Sequence, residues 1–108
     1  MSEILLKGVS ASSGRAIGKV RVVNDIMQVE KFRDNEILVV PFTSPLLTEA
    51  ILKASAIVTD KGGIMSHAAI VAREAGIPCV VGTEKATQVL KDGQKIIVDG
   101  NEGIVYEG

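Results

Sequence analysis

A single histidine, His67, occurs in the 108 residues, and its neighbours are Gly62, Gly63, Ile64, Met65 and Ser66 before it and Ala68 and Ala69 after it. Two glycines lead into it, and a small, apolar, helix-prone run follows. A helix start leaves backbone N–H groups unpaired and carries a partial positive charge. Glycines just before it let the backbone approach a ligand closely. Together they suit an anion, phosphate above all. Ser66 is the natural N-cap, and its hydroxyl is equally able to meet a phosphate oxygen. His67 then takes the first helical position. A neutral imidazole there keeps a lone pair on one ring nitrogen and is a competent nucleophile. Attack on a phosphoryl group gives a phosphohistidine held against the positive helix end.

Other chemistries fit less well. The same residues allow a plain capped helix with an ordinary exposed histidine. No Gly-Lys-Ser/Thr triplet makes a Walker loop, and no GxGxxG pattern is present. One histidine, one cysteine and scattered carboxylates show no metal-ligand spacing. Ser66 and His67 do not pair as nucleophile and base, because adjacent helical residues project about 100° apart.

The surrounding pattern says which elements position this loop. Residues 3–6 suggest a short strand, 8–14 a small-residue loop, and 16–23 a strand with a bulge at Gly18. Ile26, Val29 and Phe32 recur at helical spacing after an Asn-Asp turn or cap. Residues 37–40, 56–59 and 79–82 are apolar runs, as strands buried on both faces are. Between the first two, Ser44 and Pro45 open a helix whose stripe is Leu47, Ile51 and Ala54. Between the last two, a helix runs from about 67 to 75, stopped by Gly76 with Pro78 beyond. Residues 86–90 offer one or two helical turns, and 94–98 and 103–106 a closing hairpin. Strand–helix alternation in the middle predicts parallel central strands with antiparallel ends. The fold class is α/β, a mixed sheet with packed helices, in one domain over 1–108.

Composition narrows the partners. A net charge of −1 gives little attraction for nucleic acid or a membrane surface. Aromatics at 3% leave few stacking platforms for single strands, so the core falls to Val, Ile, Leu and Ala. Cys79 has no disulfide partner in the chain and reads as a buried small hydrophobe, as in a reducing cytoplasm. No secretory pattern opens the chain, and no run approaches the roughly 20 apolar residues of a membrane span.

The stretch 59–83, TDKGGIMSHAAIVAREAGIPCVVGT, closely resembles the phosphohistidine, or swivelling, domain of the phosphoenolpyruvate-utilising enzymes. GVSASSGRAIGKVRVV, ILVVPFTSP and DGQKIIVDGNEGIVYEG resemble the same family's opening strands, central strand-to-helix step and closing hairpin. The resemblance implies a swivelling β/β/α fold and a mobile carrier whose histidine shuttles phosphoryl groups between active sites. It makes His67 the phosphorylated residue, with Gly62, Gly63 and Ser66 shaping its loop. Arg73 matches the family's arginine. It lies about 240° around the helix from His67, which points to support of the helix end or pairing with Glu74 or Asp60 rather than to the phosphate. At Met65 the family usually has Thr, sometimes Asn, able to hydrogen-bond the histidine; Met65 has no such group.

The chain has no room for the family's roughly 250-residue barrel. The expectation is therefore a stand-alone carrier in a phosphoenolpyruvate synthase-like phosphotransfer system, served by separate nucleotide-binding or phosphoenolpyruvate-binding subunits. No cofactor or metal is expected on this chain, with Mg²⁺ on the partner during transfer. The alternative is a non-catalytic binding or regulatory module that keeps the anion pocket. A carrier must dock, and the apolar Ile64 and Met65 beside His67 suit an apolar docking surface.

Overall fold

The computed structural model describes residues 3–108. Its strands are β1 (Ile4–Lys7), β2 (Val9–Ser12), β3 (Arg15–Val22), β4 (Ile37–Val40), β5 (Ala56–Thr59), β6 (Cys79–Val81), β7 (Lys95–Asp99) and β8 (Ile104–Glu107). Its α-helices are α1 (Thr48–Lys53), α2 (His67–Ala75) and α3 (Ala86–Val89). The strand order is β1-β8-β7-β3-β4-β5-β6-β2. β3, β4, β5 and β6 run parallel to their neighbours, and the flanking pairs are antiparallel.

Two strands bend this order into two layers. The first half of β3 pairs with β7 and its second half with β4. β1 pairs with β8, and β2 pairs with β6 at the other end of the order. Only Gly8 separates β1 from β2, so one extended segment joins both ends. Gly8 is required there, because a Cβ would collide with the Val81 carbonyl oxygen. Residues 8–14 are thus not the expected loop. Ser and Ala have weak strand preference, and only pairing with β6 makes Val9–Ser12 a strand.

The alternation of the central strands divides the interior. Leu38, Val40, Ile57, Cys79 and Val81 face the helices and pack on Ala50, Ile51, Ala68, Ala69 and Ala72. Ile37, Val39, Ala56, Val58 and Val80 face the antiparallel layer and pack on Leu6, Val20, Ile96, Val98 and Val105. The result is a β/β/α sandwich with a core on each side of the parallel strands. Each of its fully buried large side chains stabilises the fold by about 1.5–3 kcal/mol.

Three local expectations are corrected. Pairing runs unbroken through Gly18 opposite Ile96, so β3 has no bulge there. Ile26–Lys31 is a 3₁₀ turn rather than an α-helix, closed by a capping box between Asp25 and Gln28. Ser44 makes no side-chain cap. A 3₁₀ turn at Pro45–Leu47 precedes α1, and the Thr48 hydroxyl donates to the Pro45 carbonyl at 2.7 Å. Among the described residues, no helix is long and apolar enough to cross a membrane.

Candidate functional site

β4 and β5 are parallel neighbours, so the loops leaving their carboxyl ends emerge side by side. The β4 loop carries Phe42 and Thr43, and the β5 loop leads to His67. The base of the β5 loop is tied on two sides. Asp60 N–H donates to the Val40 carbonyl at 3.1 Å and Lys61 N–H to the Pro41 carbonyl at 3.0 Å. The Thr59 hydroxyl donates to the Lys61 carbonyl at 2.6 Å, and the Thr83 hydroxyl to the Thr59 carbonyl at 2.9 Å. The Asp60 carboxylate accepts from the Thr87 N–H at 2.9 Å and the Thr87 hydroxyl at 2.6 Å.

The two glycines have different duties. Gly62 has φ +113°, a conformation L side chains rarely adopt, and a Cβ there would lie 3.0 Å from Ser66 Cβ and Oγ. Gly63 has open space around it. Its carbonyl accepts from Ser66 N–H at 3.0 Å and Ser66 Oγ at 2.7 Å, a role any residue can fill. Ser66 caps α2 by accepting from Ala69 N–H at 3.4 Å. The N–H groups of His67 and Ala68, at the first two helical positions, have no intrahelical acceptor.

His67 is half-buried rather than fully exposed. Its Nδ1 lies 2.8 Å from Thr43 Oγ1, and Thr43 is 8% exposed. Among the described residues nothing hydrogen-bonds Nε2. Met65, at the position where a hydrogen-bonding partner was expected to be missing, is 80% exposed. The bond to the ring comes instead from Thr43, 24 residues earlier in the chain. Thr43 stands in the run ILVVPFTSP, and the signal that could have found it is its place just beyond a parallel strand adjacent to the histidine's own.

His67 lies in an open concavity with Phe42, Thr43, Lys61, Gly62, Ser66 and Ala68. Lys61 is the one cationic side chain among these lining residues, and it stands on the loop itself. Arg73 pairs with neither Glu74 nor Asp60. Its guanidinium donates to the Ala11 carbonyl at 2.9 Å and the Ile64 carbonyl at 2.8 Å, bracing the histidine loop against β2. Cys79, on β6, is fully buried. Burial pushes its thiol up to about 12, partly offset by the Arg73 charge, and leaves it a packing residue. Ile64, Met65, Phe42 and Leu46 are all exposed near this end of the molecule.

The chain as a whole has matches among known proteins. A family model described as PEP-utilising enzyme, mobile domain, covers residues 32–103. The chain belongs to the mobile-domain family of the PEP-utilising enzymes. Within that family it is 52% identical over 106 residues to a probable phosphoenolpyruvate synthase of Methanothermobacter thermautotrophicus, covering 98% of this chain and 16% of the relative. It is 50% identical over 107 residues to the phosphoenolpyruvate synthase of Pyrococcus furiosus, covering 99% of this chain and 13% of that enzyme. The mobile domain thus spans only about a seventh of these relatives' length. Among solved structures, an NMR structure of an enzyme I protein superposes with a TM-score of 0.61 at 35% identity, over 71% of this chain and 32% of that one. These likenesses establish the mobile-domain fold and its kinship with phosphoryl-transfer enzymes.

Proposed function

We propose that this mobile domain is a phosphoryl carrier and that Nε2 of His67 takes and returns the phosphoryl group. One observation carries the reading: Thr43 holds Nδ1, while Nε2 has no hydrogen-bond partner among the described residues and the ring stands at the first position of α2. The bond admits two proton arrangements, and only Nδ1–H donating to Thr43 leaves a lone pair on Nε2. In that form Nε2 attacks the phosphorus of a donor. The N–P bond forms as the donor P–O bond breaks, and the donor oxygen leaves with the electron pair. The Nδ1 proton stays on the ring, against Thr43. The unpaired N–H groups of His67 and Ala68 and the Lys61 ammonium favour the phosphoryl charge. Delivery reverses the balance: an acceptor oxygen attacks phosphorus and Nε2 leaves with its pair.

Donor and acceptor sites lie outside these 108 residues. By kinship the donor class is phosphoenolpyruvate or a nucleotide β-phosphate, in a phosphoenolpyruvate synthase-like reaction. Among the described residues no three His, Cys, Asp or Glu side chains cluster, and the nearby carboxylate of Asp60 is engaged by Thr87. As part of the same proposal, Mg²⁺ sits with the partner sites that hold donor and acceptor, and no step here runs through it.

The test is label transfer. The chain and its His67→Ala variant are incubated with source-cell extract and either ³²P-phosphoenolpyruvate or β-³²P-ATP. Acid-labile, base-stable label on the wild type alone is expected. Absence of label from both donors, in an extract that labels a full-length relative, would move the domain to the binding-module reading.

A further inference from the structure

The antiparallel layer has an outer face that the carrier chemistry does not use. Register places Ile17 opposite Ile97, Ile97 opposite Tyr106, and Tyr106 opposite Ile4. These four side chains form one row across four strands, because residues directly opposite share a face. The row lies on the solvent side: the alternate residues Ile96, Val98 and Val105 are in the core, while Ile17 is 55% and Ile4 47% exposed. It is a contiguous apolar stripe on the side of the sandwich away from α2.

Its flanks are basic. Lys19 and Lys95 pair on one side of the row. On the other side Arg15, Asp99, Ile104 and Lys7 form the next row. Arg15 sits 3.8 Å from the buried Asp99 carboxylate and 5.9 Å above the Tyr106 ring. Four cations thus face one already paired carboxylate, in a chain whose net charge is −1. Glu107 falls on the opposite pleat, in register with the core residue Ile96.

We infer that this face docks a protein segment of acidic, apolar character, extended or flat, independently of the phosphoryl site. Apolar stripes rimmed by polar residues mark contact surfaces, and the lysine flanks select the sign of the partner. A second copy of the chain would bring like charges together across the face. Nucleic acid would find one aromatic ring to stack on and few phosphate contacts.

The test follows backbone NMR shifts of the ¹⁵N-labelled chain at low salt. The probe is a synthetic peptide alternating Glu with Val, with a Lys-for-Glu version as counterpart. The Glu peptide is expected to shift amides of β1, β3, β7 and β8 around Ile17 and Ile97 while leaving α2 still. Binding should weaken about tenfold in Ile17→Ser and in the Lys19→Glu/Lys95→Glu double variant, both with wild-type folding, and fade with salt. The inference is overturned if the Glu peptide does not bind, binds elsewhere or binds the variants equally. It is also overturned if sedimentation shows a dimer that Ile17→Ser dissolves. Stronger binding of this face to phosphatidylglycerol vesicles or oligo(dT) than to the peptide refutes it as well.

Discussion

Removing the Thr43 hydroxyl isolates the feature on which the proposed carrier chemistry turns. Thr43→Val keeps the side chain's shape and deletes only Oγ1, which lies 2.8 Å from His67 Nδ1. Thr43 is nearly buried and His67 half-buried, so water replaces the lost partner poorly. The net value of such a bond is about 1 kcal/mol, and orienting the ring adds a similar amount. One to two kcal/mol corresponds to roughly a 5–30-fold slower single-turnover transfer to His67. Unfolding stability should fall by less than about 1.5 kcal/mol, because the new methyl fills the space. Rapid-quench labelling reads the rate, and ¹⁵N NMR of the ring reads which nitrogen carries the proton. Wild type and Thr43→Ser should hold the proton on Nδ1, with Thr43→Val shifting toward a mixture. A wild-type ring protonated on Nε2, or a Thr43→Val chain that accepts label at the wild-type rate, refutes the reasoning.

Gly62→Ala should destabilise the domain by about 1–3 kcal/mol in urea unfolding, since it combines φ +113° with a Cβ 3.0 Å from Ser66. Gly63→Ala, with open space around it, should stay within about 0.5 kcal/mol of wild type. Arg73→Met removes both guanidinium bonds to the Ala11 and Ile64 carbonyls. It should cost about 1–3 kcal/mol in urea and raise amide exchange in residues 62–66, because the histidine loop loses its tie to β2. Cys79 should resist a thiol reagent at pH 8 until the chain unfolds. The folded thiol holds its proton up to about pH 12, while the unfolded one loses it near 8.5. The unfolded state therefore binds fewer protons between those values, and stability should fall as pH rises through that window. Cys79→Ala should lack that part of the fall.

What was legible in the sequence is what neighbours along the chain decide. Ser66 caps α2 through an i, i+3 bond to Ala69, and Gly76 ends it at φ 73°. The buried central strands show as runs that are apolar but for Thr59, because both of their faces are covered. The single histidine at a glycine-led helix start was visible for the same reason: its immediate surroundings are contiguous residues. The closing hairpin followed from alternation around a glycine-rich turn.

Tertiary structure alone decided the contacts between distant segments. Thr43 meets His67 because β4 and β5 lie parallel and release their loops together, which no periodicity within either segment encodes. Arg73 passes over its helical neighbours to reach Ala11, 62 residues away, because β2 adds to the edge beside β6. β2 itself was hidden, since serines and alanine become a strand only when β6 supplies the ladder. The apolar row of Ile4, Ile17, Ile97 and Tyr106 likewise exists only in cross-strand register. Local patterns report φ, ψ and burial along one segment, whereas the orientation of the His67 ring depends on loop ends that only the assembled sheet brings into contact.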